Sequence, residues 1–200
     1  MKTSLGFGSY ICMPRPEISD AELLVRAVEP VDIEAIRIWR NAQMEVLRQK
    51  AEVSASQQAE YYSRHVWPEK SCEKPSNILL AIIRAGCLIG YGGLVHVAWE
   101  HRRAEVSFLL APELELDADT RAVLFNCFLR LMKTLAFEDL GLARLFTETY
   151  ATRRRHIETL ESCGFIREGR QRHHVQIEDV PVDSLIHGVL ATDEGNRHAG

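Results

Sequence analysis

Apolar positions along the chain recur with two periods, and the switches between them mark its elements. Leu23–Ala27 alternates and predicts a first strand. Pro30 begins a helix over Val31–Asn41, with Val31, Ala35, Ile38 and Trp39 toward one side. Ser54 or Ser56 caps a second helix that runs to about Val66 and stops at Pro68; Trp67–Ser76 is then a polar loop. Asn77–Arg84 is short and apolar, as a buried strand would be. Ala85-Gly86 turns it into a hairpin with Leu88–Trp99, where Gly90, Gly92 and Gly93 predict a bulge or a close approach by another group. Ala104–Leu110 is a fourth strand, with Val106, Phe108 and Leu110 on one face and Glu105, Ser107 and Leu109 on the other. After an acidic loop at Pro112–Asp119, Val123, Leu124, Phe128, Leu131, Met132 and Leu135 keep helical spacing through a long helix, Thr120–Asp139, which Gly141 ends. Ala143–Tyr150 alternates Leu145, Thr147 and Thr149 against Phe146, Glu148 and Tyr150. A helix over Arg153–Cys163 buries Ile157, Leu160 and Cys163, with Gly164 as its cap. Phe165–Ile177 and Val182–Leu190 are extended around a turn at Glu178-Asp179-Val180-Pro181.

This order predicts an α/β fold: one mixed sheet of six or seven strands flanked by about four helices. The long helix connects the fourth and fifth strands, which should therefore be parallel with a right-handed crossover. Residues 1–22 read as an N-terminal arm, 23–190 as a single domain and 191–200 as a polar tail.

Composition narrows the classes. The 200 residues suffice for one self-supporting core. A formal net charge of −4 gives no bulk attraction to nucleic acid, and no apolar run approaches the roughly 20 residues of a membrane span. The N-terminus lacks the apolar core of a signal peptide. Five scattered cysteines without a C-x-x-C read as reduced thiols, which points to a cytoplasmic protein. A homodimer is left open.

Several short motifs stand in a fixed order: Trp39-Arg40-Asn41, then Ala136-Phe137-Glu138-Asp139-Leu140-Gly141-Leu142, then Glu161, Gly164-Phe165, Glu168-Gly169, Arg172 and Val182-Asp183-Ser184-Leu185. Together, over residues 23–190, they resemble the GNAT superfamily of acetyltransferases. The similarity is to the branch acting on ribosomal-protein N-termini and on amino groups of nucleotide sugars. The resemblance implies that the two parallel strands splay apart and admit acetyl-CoA, or another acyl-CoA, as co-substrate, its pyrophosphate at the start of the long helix. It places Phe108, Leu109, Leu110, Arg121, Ala122 and Arg153 at the donor, and Trp39, Arg40, Asn41, Tyr62 and His65 at the acceptor. That acceptor would be a small-molecule amine or a protein N-terminus.

The chemistry of such a transfer singles out two residues. An amine must lose a proton as it attacks a thioester, and Glu105 is placed to take it; its other reading is a sheet-face carboxylate paired with Arg102 or Arg103. The tyrosine that many relatives hold four residues before the glycine is Leu160 here. His156 is then the substitute acid, or else an exposed histidine on a short helix. The phosphate loop of the family is glycine-rich, whereas Glu113–Val123 has no glycine and carries Glu113, Glu115, Asp117 and Asp119. Those acids oppose phosphate, and one of them can cap the helix in its place. Arg153-Arg154-Arg155 could meet phosphates or form a solvated face, and Arg167, Arg170, Arg172, His173 and His174 make a second basic region. His96, His101, His173 and His174 lack metal-ligand spacing, so no metal is expected. The leading expectation is an N-acyltransferase acting on a primary amine of a small molecule, nucleotide sugar or protein N-terminus. The alternatives are a protein acting on carrier-protein acyl thioesters, or a non-catalytic binding module.

Overall fold

The structure, a computed structural model, describes residues 8–47 and 49–195. Residues 1–7 of the expected arm and 196–200 of the expected tail lie outside the described residues. The strands are β1 (Glu17–Ser19), β2 (Leu24–Ala27), β3 (Ile78–Arg84), β4 (Cys87–Ala98), β5 (Arg103–Leu110), β6 (Arg144–Tyr150), β7 (Ile166–Ile177) and β8 (Val180–Leu190). The helices are α1 (Ile33–Asn41), α2 (Ala55–Tyr61), α3 (Pro112–Glu115), α4 (Ala118–Lys133), α5 (Arg154–Ser162) and α6 (Ala191–Gly195). Among the described residues, one sheet in the order β1-β2-β3-β4-β5-β6-β8-β7 holds these eight strands, and β5 and β6 are its one parallel pair.

The sheet has eight strands rather than six or seven because β1 forms within residues assigned to the arm. Its flanks Glu17 and Ser19 are exposed and only Ile18 is buried, so no alternation announces it. The same segment buries Tyr10 and Met13, and Tyr10 Oη accepts the Leu79 N–H at 3.0 Å. The expected acidic loop is partly helical, Pro112 opening α3. The turn between β7 and β8 is tighter than expected: Glu178 and Asp179 both adopt positive φ, a two-residue hairpin connection.

The sheet is covered on both faces. One core cluster packs α4 and α5 on the side of Ala104, Val106, Leu110 and Leu145. The other packs α1 and α2 on the side of Leu79, Ala81, Tyr91 and Leu109. Two helix faces differ from the sequence pattern. Val31 and Ile38 are exposed and Ile36 is buried, because α1 starts only at Ile33 and Val31 sets no phase. Val123 is exposed as well, since Arg121, Leu124, Phe125 and Phe128 form the inward stripe of α4 at i, i+3, i+4 and i+7. Ser54, rather than Ser56, caps α2 through a reciprocal capping box with Gln57.

Candidate active site

The site begins where β5 and β6 part. They pair only over Arg103–Glu105 against Arg144–Phe146, yet β5 continues to Leu110 and β6 to Tyr150. Each follows its outer neighbour: β5 stays on β4 through Gly90, while β6 stays on β8 through Ser184. Glycine lets β4 hold β5 closely here. A Cβ on Gly92 would lie 2.2 Å from Ser107 O and 2.9 Å from the Phe128 ring, and Gly93 has φ +128°. A bulge on β4 between Val95 and Ala98, with His96 at φ +50°, accompanies the bend.

Glu105 occupies the last paired position of β5, at the apex of the opening. Its Oε2 accepts a hydrogen bond from His96 Nδ1 at 2.8 Å. The Glu105 side chain is 12% exposed and that of His96 65%, so the histidine links a sheltered carboxylate to water. Glu105 lines a cavity of about 340 Å³ together with Ser107, Phe108, Thr147, Glu148 and His156. Paired residues of parallel strands project to the same side. Glu105 and Phe146 therefore share a face, and Glu148, two residues further along β6, joins them. Glu148 lies 3.4 Å from His174 Nε2, and a bulge in β7 held by Asp183 delivers that histidine. A second, contiguous cavity reaches toward α2 and is lined by Arg40, Gln58, Tyr61, Tyr62, Asn77 and Tyr91.

The expected acceptor residues divide. Arg40 reaches this second cavity, donating to Tyr91 Oη at 2.7 Å and to Gln49 Oε1 at 3.0 Å. Tyr62 is buried there, its hydroxyl pKa raised by desolvation. Trp39 is half-buried against the α1–α2 core. Asn41 bonds both backbone groups of Val53 and the side chain of Gln49, so it anchors the loop before α2. His65 is exposed, 5.3 Å from the Tyr61 ring.

Around the expected donor residues, α5 turns a different set of groups inward. His156 is buried and stacks on Phe125 at 4.1 Å between ring centroids, so it is not the exposed helix histidine of the second reading. Arg121 Nη2 donates to His156 Nδ1 at 2.7 Å. A guanidinium has donors only, so Nδ1 carries no proton and the ring hydrogen is on Nε2. Burial, with the charges of Arg153 and Arg121, holds the His156 pKa well below the ordinary histidine value. It is therefore a neutral N–H donor, and the imidazolium acid expected from the sequence is not present at neutral pH. Arg121 is itself buried and also donates to Glu115. Arg153, at the start of α5, has its pKa lowered to about 10 by desolvation and then by Arg121. Arg154 and Arg155 are exposed, the solvated face that their sequence run allowed.

At the start of α4 the Asp117 carboxylate accepts from the N–H groups of Asp119 (3.1 Å) and Thr120 (3.3 Å) and from the Thr120 hydroxyl (2.6 Å). Those bonds, the Thr120 hydroxyl first, hold its pKa below the carboxylate norm. The amides that would face a phosphate are thus engaged by the chain itself. Ala122 is half-buried one turn in. A third cavity, of about 510 Å³, runs from here past Gln43, Glu115, Arg121 and Arg153 to His156. Phe108 stacks on Phe125 and Phe128 at 4.5 and 5.1 Å, Leu109 and Leu110 are buried on opposite faces, and Leu110 O accepts from Gln43 at 2.9 Å.

A family model described as the acetyltransferase (GNAT) domain matches residues 25–186. The chain belongs to the GNAT acetyltransferase family. No curated protein sequence matches it. Among solved structures, the GNAT domain is similar to spermidine N-acetyltransferase from Vibrio cholerae in complex with CoA and spermine. The TM-score is 0.74 at 22% identity, covering 86% of this chain and 98% of that one. It is likewise similar to the dodecameric form of that Vibrio cholerae enzyme in an intermediate state, at TM-score 0.73 and 22% identity, covering 89% and 99%. These likenesses establish the GNAT fold. Among the described residues of the domain, no helix is long and apolar enough to cross a membrane.

Glu148, Tyr91 and His96 were not singled out by the sequence. Glu148 was within reach, since alternation already set it on the face of β6 opposite Leu145. What the sequence lacked was the register that puts it beside Glu105.

Proposed function

We propose that this GNAT domain transfers an acyl group, acetyl in the simplest case, from acyl-CoA to the primary amine of a small cationic molecule. The observation that carries the reading is Glu105 at the apex of the opening between β5 and β6, sheltered and joined to His96 at 2.8 Å. Acyl-CoA supplies the activated thioester carbonyl. Glu105 accepts the amine proton, and His96 is placed to relay it to water. Phe108–Leu110 of β5 and the far half of β6 offer backbone groups to an extended pantetheine arm, with Arg121, Ala122 and Arg153 beyond them.

Two carboxylates in one cavity, Glu105 and Glu148, favour a positively charged acceptor and oppose an anionic nucleotide sugar. The likeness to an enzyme solved with spermine supports a polyamine-like amine over a protein N-terminus. Free cysteines throughout the described chain support a cytoplasmic setting.

The Asp117 cap favours a second reading of the donor. An acyl group presented on a carrier-protein phosphopantetheine would need the splayed strands but not the amides that Asp117 holds. One experiment separates these readings. The protein is assayed with acetyl-CoA, and with an acetylated carrier protein, against a panel of diamines, polyamines and peptides with free N-termini. We expect thiol release with a polyamine and acetyl-CoA, and a turnover lowered about 10²–10⁴-fold in Glu105→Gln at unchanged melting temperature. Unchanged turnover in that variant at saturating amine removes Glu105 from the reaction.

A further inference from the structure

Arg153 stands where the donor and acceptor cavities join, sharing walls with Glu105, Ser107 and Thr147 on one side and with Glu115 and Arg121 on the other. Arg153 is half-buried and, among the described residues, makes no side-chain hydrogen bond or close ion pair; Glu115 and Glu45 act on it only at a distance. A partly desolvated cation whose counter-charges stand off is poised to meet an anion during function. The charged and titratable groups around it leave that place open. Arg121 of α4 is engaged by Glu115 and His156. Glu105 of β5 and Glu148 of β6 are each joined to a histidine. Glu45, in the segment after α1, is exposed. Tyr150, at the end of β6, is buried and lines a different cavity, with Glu45 and Gln49. The polar residues that line both cavities at the junction are Arg153 and His156.

The reaction creates an anion along this line. Leu160, where the resemblance places a tyrosine, is fully buried and has no proton to give. A neutral imidazole whose Nδ1 is tied to Arg121 is a hydrogen-bond donor and a very weak acid. We propose that Arg153, with the Nε2–H of His156, receives the sulfur of the donor as a thiolate, so that no side chain protonates it. This rests on the acyl-CoA reading above. The amine nitrogen bonds to the thioester carbonyl carbon, and Glu105 takes the amine proton. The carbon–sulfur bond breaks with its electron pair on sulfur, and Arg153 holds the thiolate. After release the thiolate takes a proton from water, and Glu105 gives its proton back to water through His96.

The test reads the thiol and needs no acceptor. CoA is bound to the wild type and to Arg153→Gln, Arg153→Lys and His156→Gln, with affinity measured by calorimetry. The bound thiol is titrated through the ultraviolet absorbance of its thiolate. A nearby cation lowers an acid by about 1–3 pKa units, so the thiol on the wild type should titrate at least about one unit below free CoA. The shift should persist in Arg153→Lys, shrink in His156→Gln and vanish in Arg153→Gln at similar CoA affinity. CoA that binds the wild type with an unshifted thiol overturns the proposal, and so does a shift that survives Arg153→Gln. Loss of CoA binding in Arg153→Gln, with the fold intact by circular dichroism, assigns this arginine to the donor's phosphates and overturns it as well. Failure of the wild type to bind CoA at all removes the acyl-CoA reading, and this inference with it.

Discussion

At the scale of single residues, His156 is where burial has most changed the chemistry read from the sequence. An imidazole titrates near pH 6.5 in water, but here burial first, and then the charges of Arg153 and Arg121, disfavour its cation. Its folded pKa is depressed, so between that value and about 6.5 the unfolded chain binds more protons than the folded one. Stability should then be fully present above about pH 6.5 and fall as the pH drops through the window. Urea midpoints from pH 8 to pH 5 measure this, and His156→Gln should flatten the acid side of the curve. An equal acid slope in wild type and variant would mean that the ring is not held neutral. The sequence left His156 either exposed or acting as an acid, and its burial beside Arg121 was not legible, because no local pattern reveals a donor far away on α4.

At the scale of elements, the opening depends on how closely β4 carries β5. Gly92 has no room for a side chain: a Cβ would meet Ser107 O at 2.2 Å, a backbone atom that cannot yield without moving the strand. Gly92→Ala should destabilise the protein by at least about 3 kcal/mol, read as a shift in the urea midpoint, and displace Ser107 within the cavity. A loss within about 0.5 kcal/mol would show that the two strands sit further apart than described. The glycines of β4 announced such an approach in the sequence, and the strands β3–β6 and the presence of α4 and α5 were equally legible, though Val123 was set on the wrong face of α4. What could not be read was whatever depends on register or on one buried side chain. β1 has only Ile18 to mark it. The α1 face was misplaced because Val31 precedes the helix. The contact of Glu105 with His96 depends on the bulge in β4 between Val95 and Ala98, which no one-dimensional pattern shows.

At the scale of the whole molecule, the sheet is continuous from β1 to β7 except at one place, and every element of the site borders that gap. The helices of one face bring Tyr61, Tyr62 and Arg40 to one end of the opening; those of the other bring His156, Arg121 and Arg153 to the other. The gap also leaves two strand edges in the middle of the sheet. Beyond Glu105, alternate peptide groups of β5 and β6 point toward each other across a space too wide to bridge, and Gln43 covers one of them at Leu110. An extended ligand with amide groups of its own would complete the ladder, as an added strand does at any open edge. The amide protons of Val106–Leu110 and Thr147–Tyr150 directed into the gap should therefore trade with deuterium quickly in the free protein and slowly with CoA bound. Those of the same strands that face β4 and β8 should be slow in both states. Mass-spectrometric or NMR exchange, with and without CoA, thus tests whether a bound CoA adds the strand that this gap lacks; equal exchange in both states would show that it does not.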